Sequence, residues 1–424
     1  MLRGVYSLLL FLALPLIALR LMLRGRREPG YRQGVGERFG RYALKPGGPV
    51  IWLHAVSVGE VRASVPLVNA LRAEFPGHAM LLTCMTASGR EAIGHVFGGR
   101  VLAAFLPYDY PFAVRRFLDH FKPDLGVLME TEIWINLLAE CRRRSISMVL
   151  ANARMSPRSA KGYRRLSALS RPAFESLSVV CAQSEADANR IAALGAHRIG
   201  VCGNLKFDVQ LDARLIEAGA GLRRSMEADR VLAFASTREG EEALLLTALR
   251  ESLGVGGFDR TVVILIPRHP QRFDEVARLV ESEGFSMVRR SQGGRLAGCQ
   301  VLLGDTMGEM PAYYAASDVA IIGGTLLPYG GQNLIEACAA GVPVILGPHV
   351  HNFSEASRLA VECGAALQVA DAGKAVTAAM ALLEDQARRK HMRAAGLAFC
   401  LAHRGATQRH MDAIRELRGP GRGA

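Results

Sequence analysis

The chain has 424 residues, of which half are hydrophobic and only 6% aromatic. That length exceeds a single small domain, the apolar content excludes a mainly disordered chain, and the shortage of rings argues against a protein built to stack on bases. Lysine and arginine outnumber aspartate and glutamate by 13, and the eight cysteines include no C-x-x-C pair, so neither a zinc knuckle nor a disulfide framework is signalled and a reducing compartment is expected.

The positive charge is concentrated. Residues 1–45 hold nine basic groups against two acidic ones, residues 141–171 hold nine more with no acid, and the rest of the chain is slightly acidic at −3. The first patch flanks an apolar segment. The sixteen uncharged residues from Gly4 to Leu19 would extend about 24 Å as a helix, short of the roughly 30 Å hydrocarbon core. Adding Leu21 to Leu23, with Arg20 snorkelling, lengthens it to a marginal span. Arg20, Arg24, Arg26 and Arg27 follow the segment and no small-residue cleavage site does, so residues 1–27 read as an uncleaved membrane anchor. By the positive-inside rule the body stays on the cytoplasmic side. Pro15 and the short length suit a single-leaflet insertion as well as a span.

After the anchor, β-rich runs alternate with segments of helical period. Val50–His54, Met80–Thr83, Leu125–Met129 and Ser147–Leu150 read as strands, with helices over Val61–Glu74 and Phe112–Phe121. The rhythm resumes with Val231–Ala235, Thr261–Ile266, Val301–Leu303, Val319–Ile322 and Val342–Leu346. This α/β alternation predicts two Rossmann-like domains of parallel sheet, residues 28–206 and 230–395, facing a cleft and joined by a linker at 207–229. Residues 396–424 read as a helix that frays from Arg418 onward. Ligands of open α/β sheets bind beyond the carboxyl ends of strands, so those loops should carry the chemistry.

The most specific loop runs from Ile321 to Glu336, with four glycines and a proline, into a helix expected to start near Gln332. Unpaired N–H groups of this loop and the positive end of the helix would suit a nucleotide phosphate, and Glu336 the ribose hydroxyls. Three more loops join that rim: Pro267-Arg-His-Pro270 with Arg268 and His269, Gly304 to Met310 with Gly308 and Glu309, and Ala235 to Glu242 with Arg238. There is neither a Walker A motif nor G-x-G-x-x-G, which disfavours a P-loop enzyme and a dinucleotide oxidoreductase.

In the first half, His54-Ala-Val-Ser-Val-Gly-Glu60 joins a strand to a helix, with Ser57 before a tight turn assigned to Gly59 and with Glu60 at the helix start as a candidate general base. Glu130 and Glu132 alternate sides of Met129-Glu-Thr-Glu-Ile-Trp134. His349 and His351 have a metal-pair spacing without an accompanying acid or cysteine, and no Asp-x-Asp occurs, so no metal and no other cofactor is expected.

With these motifs joined by Gly30-Tyr-Arg-Gln33, Gly36-Glu-Arg-Phe-Gly40, Asn152-Ala-Arg-Met-Ser156 and Gly203-Asn-Leu-Lys-Phe-Asp208, the sequence resembles the 3-deoxy-D-manno-octulosonic acid (Kdo) transferases of lipid A biosynthesis. The resemblance implies a GT-B glycosyltransferase of the inner membrane. Its first domain would take a lipid A precursor such as lipid IVA, its second CMP-Kdo, and its C-terminal helix would cross back to the first domain. It implies Glu60 as catalytic base of an inverting transfer. Arg268, His269, Gly308, Glu309, Met310, Gly331, Asn333 and Glu336 would lie at the CMP site, and Ser57, Gly59, Glu130, Glu132, Lys206 and Arg238 toward the acceptor or cleft. Thr237-Arg238 departs from the Thr-His frequent in the family, which weakens that one assignment. For a phosphorylated lipid acceptor, Arg154, Arg158, Lys161, Arg164 and Arg165 form a segment expected to dock on the bilayer. A soluble nucleotide-sugar 2-epimerase could share the fold but needs neither anchor nor basic segment. Nucleic-acid binding does not fit a charge confined to two patches.

Overall fold

The computed structural model describes residues 2–208, 211–253 and 260–418. The chain forms two compact α/β units, Met1–Val209 with Arg404–Ala424, and Gln210–His403. In the first, strands β1 (Val50–His54), β2 (Ala79–Cys84), β3 (Leu102–Phe105), β4 (Pro123–Met129), β5 (Ser147–Ala153), β6 (Val179–Ala182) and β7 (Ile199–Val201) form one parallel sheet in the order β3-β2-β1-β4-β5-β6-β7. Every residue of β1 is buried, the pattern of a parallel strand covered on both faces. Alternate side chains supply two cores: Val50 and Trp52 join Phe117, Phe121 and Met148 on one face, while Ile51 and Leu53 join Leu67, Val127 and Val149 on the other. The second core is completed by Ala406, Met411 and Ile414 of the C-terminal helix Ala406–Arg418.

In the second unit, β8 (Arg230–Thr237), β9 (Thr261–Pro267), β10 (Met287–Arg289), β11 (Val301–Leu303), β12 (Val319–Ile322), β13 (Val344–Leu346) and β14 (Ala366–Gln368) form another parallel sheet in the order β10-β11-β9-β8-β12-β13-β14. The strand order reverses between β1 and β4 in one sheet and between β8 and β12 in the other, which marks the loops after these four strands as the crevices for ligands.

Several elements differ from their expected form. The expected helix Val61–Glu74 is two helices, Val58–Ala63 and Val65–Glu74, because Pro66 has no N–H to continue the ladder and begins a new helix instead. Ala213–Met226, within the stretch read as a linker, is a helix packed on the helix Met310–Ala316, with Gly219 set against Ala312. The tail beyond Arg418 lies outside the described residues. The apolar N-terminal segment is two helices, Leu2–Leu12 and Leu14–Arg27, bent by 48°. Among the described residues no single helix is long and apolar enough to cross a membrane, although this bent pair together meets length and composition for one. Leu8, Leu9, Leu12, Leu16, Leu19 and Met22 are exposed. The first helix is fastened to its unit by polar contacts: the Tyr6 hydroxyl donates to Asp109 at 3.0 Å and the Tyr110 hydroxyl to the Leu10 carbonyl at 2.8 Å.

Candidate active site

Glu60 lies in the first turn of the helix Val58–Ala63 that follows β1. Ser57 caps that helix, its Oγ accepting the Glu60 N–H and donating to Glu60 Oε1 at 3.2 Å, while Val56 N–H donates to Oε2 at 2.7 Å. These contacts fix the carboxyl but do not dominate its titration. Burial first, and then the negative charge of Glu130, push it up to about 8, against the pull of the Val56 N–H. Gly59 differs from its expected role. It sits inside Val58–Ala63, is absent from the residues with positive φ, and a Cβ there would meet only Ser57 Oγ at 3.8 Å. Local folding therefore does not require glycine there. What glycine provides is open surface beside Glu60.

Glu130 follows β4 in a left-handed conformation, φ 59°, which turns its carboxylate toward two cations. Arg154 Nη2 lies 3.7 Å from Oε2 and Lys206 Nζ 3.5 Å from Oε1. Glu132 is separate, accepting the Trp134 indole N–H at 2.9 Å, and burial raises its carboxyl pKa. The two acids therefore have different partners, but not through strand alternation, because β4 ends at Met129 and both carboxyls act on Glu60. His54, fully buried beneath this rim, is held neutral because burial lowers it to about 3.

The second unit's rim is organised by a residue the sequence reading passed over. Glu241, fully buried, receives the N–H groups of Gly324 at 2.6 Å and Arg238 at 2.9 Å on one oxygen and Leu326 at 2.9 Å on the other. The Gly324 and Leu326 N–H groups therefore face an internal carboxylate and that of Gly331 returns to the Gly324 carbonyl, where an external anion is the expectation. The signal was present, an acid early in a helix just after the β8 turn, but it read as ordinary helix-start charge. The expected helix near Gln332 begins instead at Ile335 and ends at Ala339, because the Gln332 N–H returns to the Gly323 carbonyl. Asn333 Oδ1 accepts the Ile335 N–H and its Nδ2 donates to Glu336 Oε1 at 2.9 Å, so these two residues act as one polar pair.

Arg268 follows β9, its Nε 3.2 Å from Gln332 Oε1, which ties the β9 and β12 loops together. His269 stands beside it, lowered by burial and then by the charges of Arg238, Arg268 and Arg272. Arg238 lies over the Tyr329 ring at 4.5 Å. Gly308 takes φ 86° with open space around it, but Glu309 turns inward to Arg290, Thr306 and Tyr313 rather than toward a ligand. Met310 begins the next helix and Gly331, φ 85°, packs on Thr325. Among the described residues no set of three or more His, Cys, Asp or Glu side chains forms a metal cluster, and His349 and His351 have no such company. Of the basic segment, Arg158, Lys161, Arg164 and Arg165 are exposed on the helix Pro157–Arg165, whereas Arg154 belongs to the Glu130 group.

Residues 33–209 match the family model described as 3-Deoxy-D-manno-octulosonic-acid transferase (kdotransferase), and residues 291–398 match glycosyl transferases group 1. A 3-deoxy-D-manno-octulosonic acid transferase of Bordetella pertussis is 44% identical over 98% of this chain and 100% of its own length. One of Haemophilus influenzae is 37% identical over 97% of this chain and 98% of its own. Among solved structures, the UDP-GlcNAc 2-epimerase of Neisseria meningitidis has a TM-score of 0.58 at 15% identity, covering 86% of this chain and 99% of that one, a likeness of fold alone. The fold is thus shared with a nucleotide-sugar enzyme of another activity, while identity along the whole length is shared with 3-deoxy-D-manno-octulosonic acid transferases: the chain belongs to the 3-deoxy-D-manno-octulosonic acid transferase family of GT-B glycosyltransferases.

Proposed function

We propose that the enzyme moves Kdo from CMP-Kdo to a hydroxyl of a lipid A precursor such as lipid IVA in one inverting displacement. The observation that carries this reading is Glu60, a fixed carboxyl at the β1 crevice whose proton affinity, about 8, suits a base acting on a hydroxyl. The acceptor oxygen forms its bond to the anomeric carbon of Kdo and gives its proton to a Glu60 oxygen. The bond from that carbon to the CMP phosphate oxygen breaks, and the electron pair leaves with CMP. Arg268, with the Asn333–Glu336 pair, is assigned to the nucleotide, since a fixed cation offsets the charge that grows on the departing phosphate.

The acceptor is a lipid, and the exposed apolar helices Leu2–Leu12 and Leu14–Arg27 are assigned to the membrane. The exposed cations of Pro157–Arg165 are assigned to its anionic surface, on the cytoplasmic face. The test is incubation of the purified full chain with CMP-Kdo and lipid IVA, followed by mass measurement of the lipid. A gain of one or more Kdo residues supports the reading, and an unchanged lipid with intact CMP-Kdo rejects it.

A further inference from the structure

Lys206 and Arg154 stand on different segments, and one element holds both. The C-terminal helix Ala406–Arg418 grips the Lys206 segment at two points: Arg409 Nε donates to the Cys202 carbonyl at 2.8 Å, and the Asp208 carboxylate accepts the N–H groups of Gly405 and Thr407 at the helix start. A third grip lies one turn later. His410, fully buried, has Nδ1 2.7 Å from the Ala406 carbonyl, so Nδ1 carries the hydrogen and Nε2 is left as an acceptor, 2.9 Å from Asn152 N. Asn152 is a left-handed residue, φ 52°, where β5 slips register beside β6. Its Oδ1 accepts the Leu205 N–H at 3.0 Å, its carbonyl accepts from Gln183, and two residues later the chain presents Arg154. One histidine thus secures the turn that connects to both cations on Glu130.

We infer that the C-terminal helix acts through His410 as the positioning element for Arg154 and Lys206 around Glu130, and thereby sets the charge that Glu60 meets. The inference builds on the proposed role of Glu60. The charges acting on Glu60 are Glu130 and Glu132. On the helix Ala87–Phe97, packed against its own, Arg90 is paired with Glu37 while Glu91 and His95 are exposed, as is Arg62 on its own helix. On Val65–Glu74, the next helix along, Arg72 is partly exposed and Glu74 is paired with Arg415. Loosening the cations on Glu130 leaves its negative charge less compensated, so the proton on Glu60 should be held more tightly.

The experiment is a carbon-13 NMR titration of the full chain labelled at glutamate carboxyls, the Glu60 signal being the one lost in Glu60→Gln. In His410→Ala the Glu60 midpoint is expected to rise by about half a pH unit or more. In His410→Gln, which places an acceptor oxygen where Nε2 was, it should return to the wild-type value, and the acid limb of kcat/KM should follow the same pattern. An unchanged midpoint in His410→Ala, however far its Tm falls, overturns the inference. If that variant does not fold, Asn152→Gly keeps the left-handed turn but removes the tie to Leu205, and an unchanged midpoint there overturns it equally. Because the titration needs no turnover, a midpoint that moves in a chain unable to transfer Kdo would sink the proposed function while leaving the positioning role standing.

Discussion

Glu241 Oε2 accepts the Gly324 N–H at 2.6 Å, joining the turn after β8 to the turn after β12 at the switch point of the second sheet. The same oxygen holds Arg238 N and the other holds Leu326 N, so one buried anion dictates the path of the loop assigned to the donor. Charge-assisted bonds of this kind are stronger than neutral ones, and a buried acceptor removed from several donors is costly.

Glu241→Gln should therefore destabilise the enzyme by about 2–4 kcal/mol, because the amide places an NH2 against backbone N–H groups. CMP affinity, read by calorimetry below the transition, should fall at least tenfold. A variant that loses stability but binds CMP as the wild type does would show that the loop is not the donor site.

The pH dependence follows from the sign of the Glu60 shift. A base must be ionised to act, and burial with Glu130 lifts its midpoint to about 8. Below that value kcat/KM should rise about tenfold per pH unit and then level above it. Glu60→Gln should lower kcat roughly 100- to 10,000-fold at pH 8 with CMP binding unchanged. An acid limb near pH 4 in the wild type would mean that burial and Glu130 do not raise the Glu60 midpoint.

Much of this was legible in the sequence where the signal is local. Val50–His54, Val301–Leu303 and Val319–Ile322 are apolar runs ending in turn residues, and each is a strand over those residues. Five strands went unread, among them β3, β7 and β14, because they are short and partly exposed, so their pairing comes from the sheet rather than from their own pattern. Glu60 could be picked out because glycine, serine and acid cluster at one strand end. The contact between Asn152 and His410 could not, since the two are 258 positions apart and, although Asn152 opens one of the motifs, His410 is unremarkable alone.

Surface charge and site charge are separable within the basic segment. Neutralising Arg158, Lys161, Arg164 and Arg165 together should weaken binding to vesicles containing anionic lipid at least tenfold at low salt, each cation near such a surface being worth roughly 1 kcal/mol before screening. Cosedimentation checks it, and the effect should shrink as salt rises. Arg154→Gln should show the opposite pattern, with vesicle binding kept and kcat reduced, because its guanidinium lies by Glu130.

Gly59 separates folding from function in a single methyl group. A Cβ there would meet only Ser57 Oγ at 3.8 Å, and alanine is a better helix former than glycine, so Gly59→Ala should leave Tm unchanged or slightly raised. The added methyl instead stands on the exposed surface beside Ser57, whose Oγ donates to Glu60 Oε1. If the acceptor hydroxyl approaches Glu60 there, KM for the lipid should rise several-fold while CMP binding is untouched. A variant with wild-type kinetics for the lipid would place the acceptor on another side of Glu60, and one that unfolds would contradict the packing of this helix.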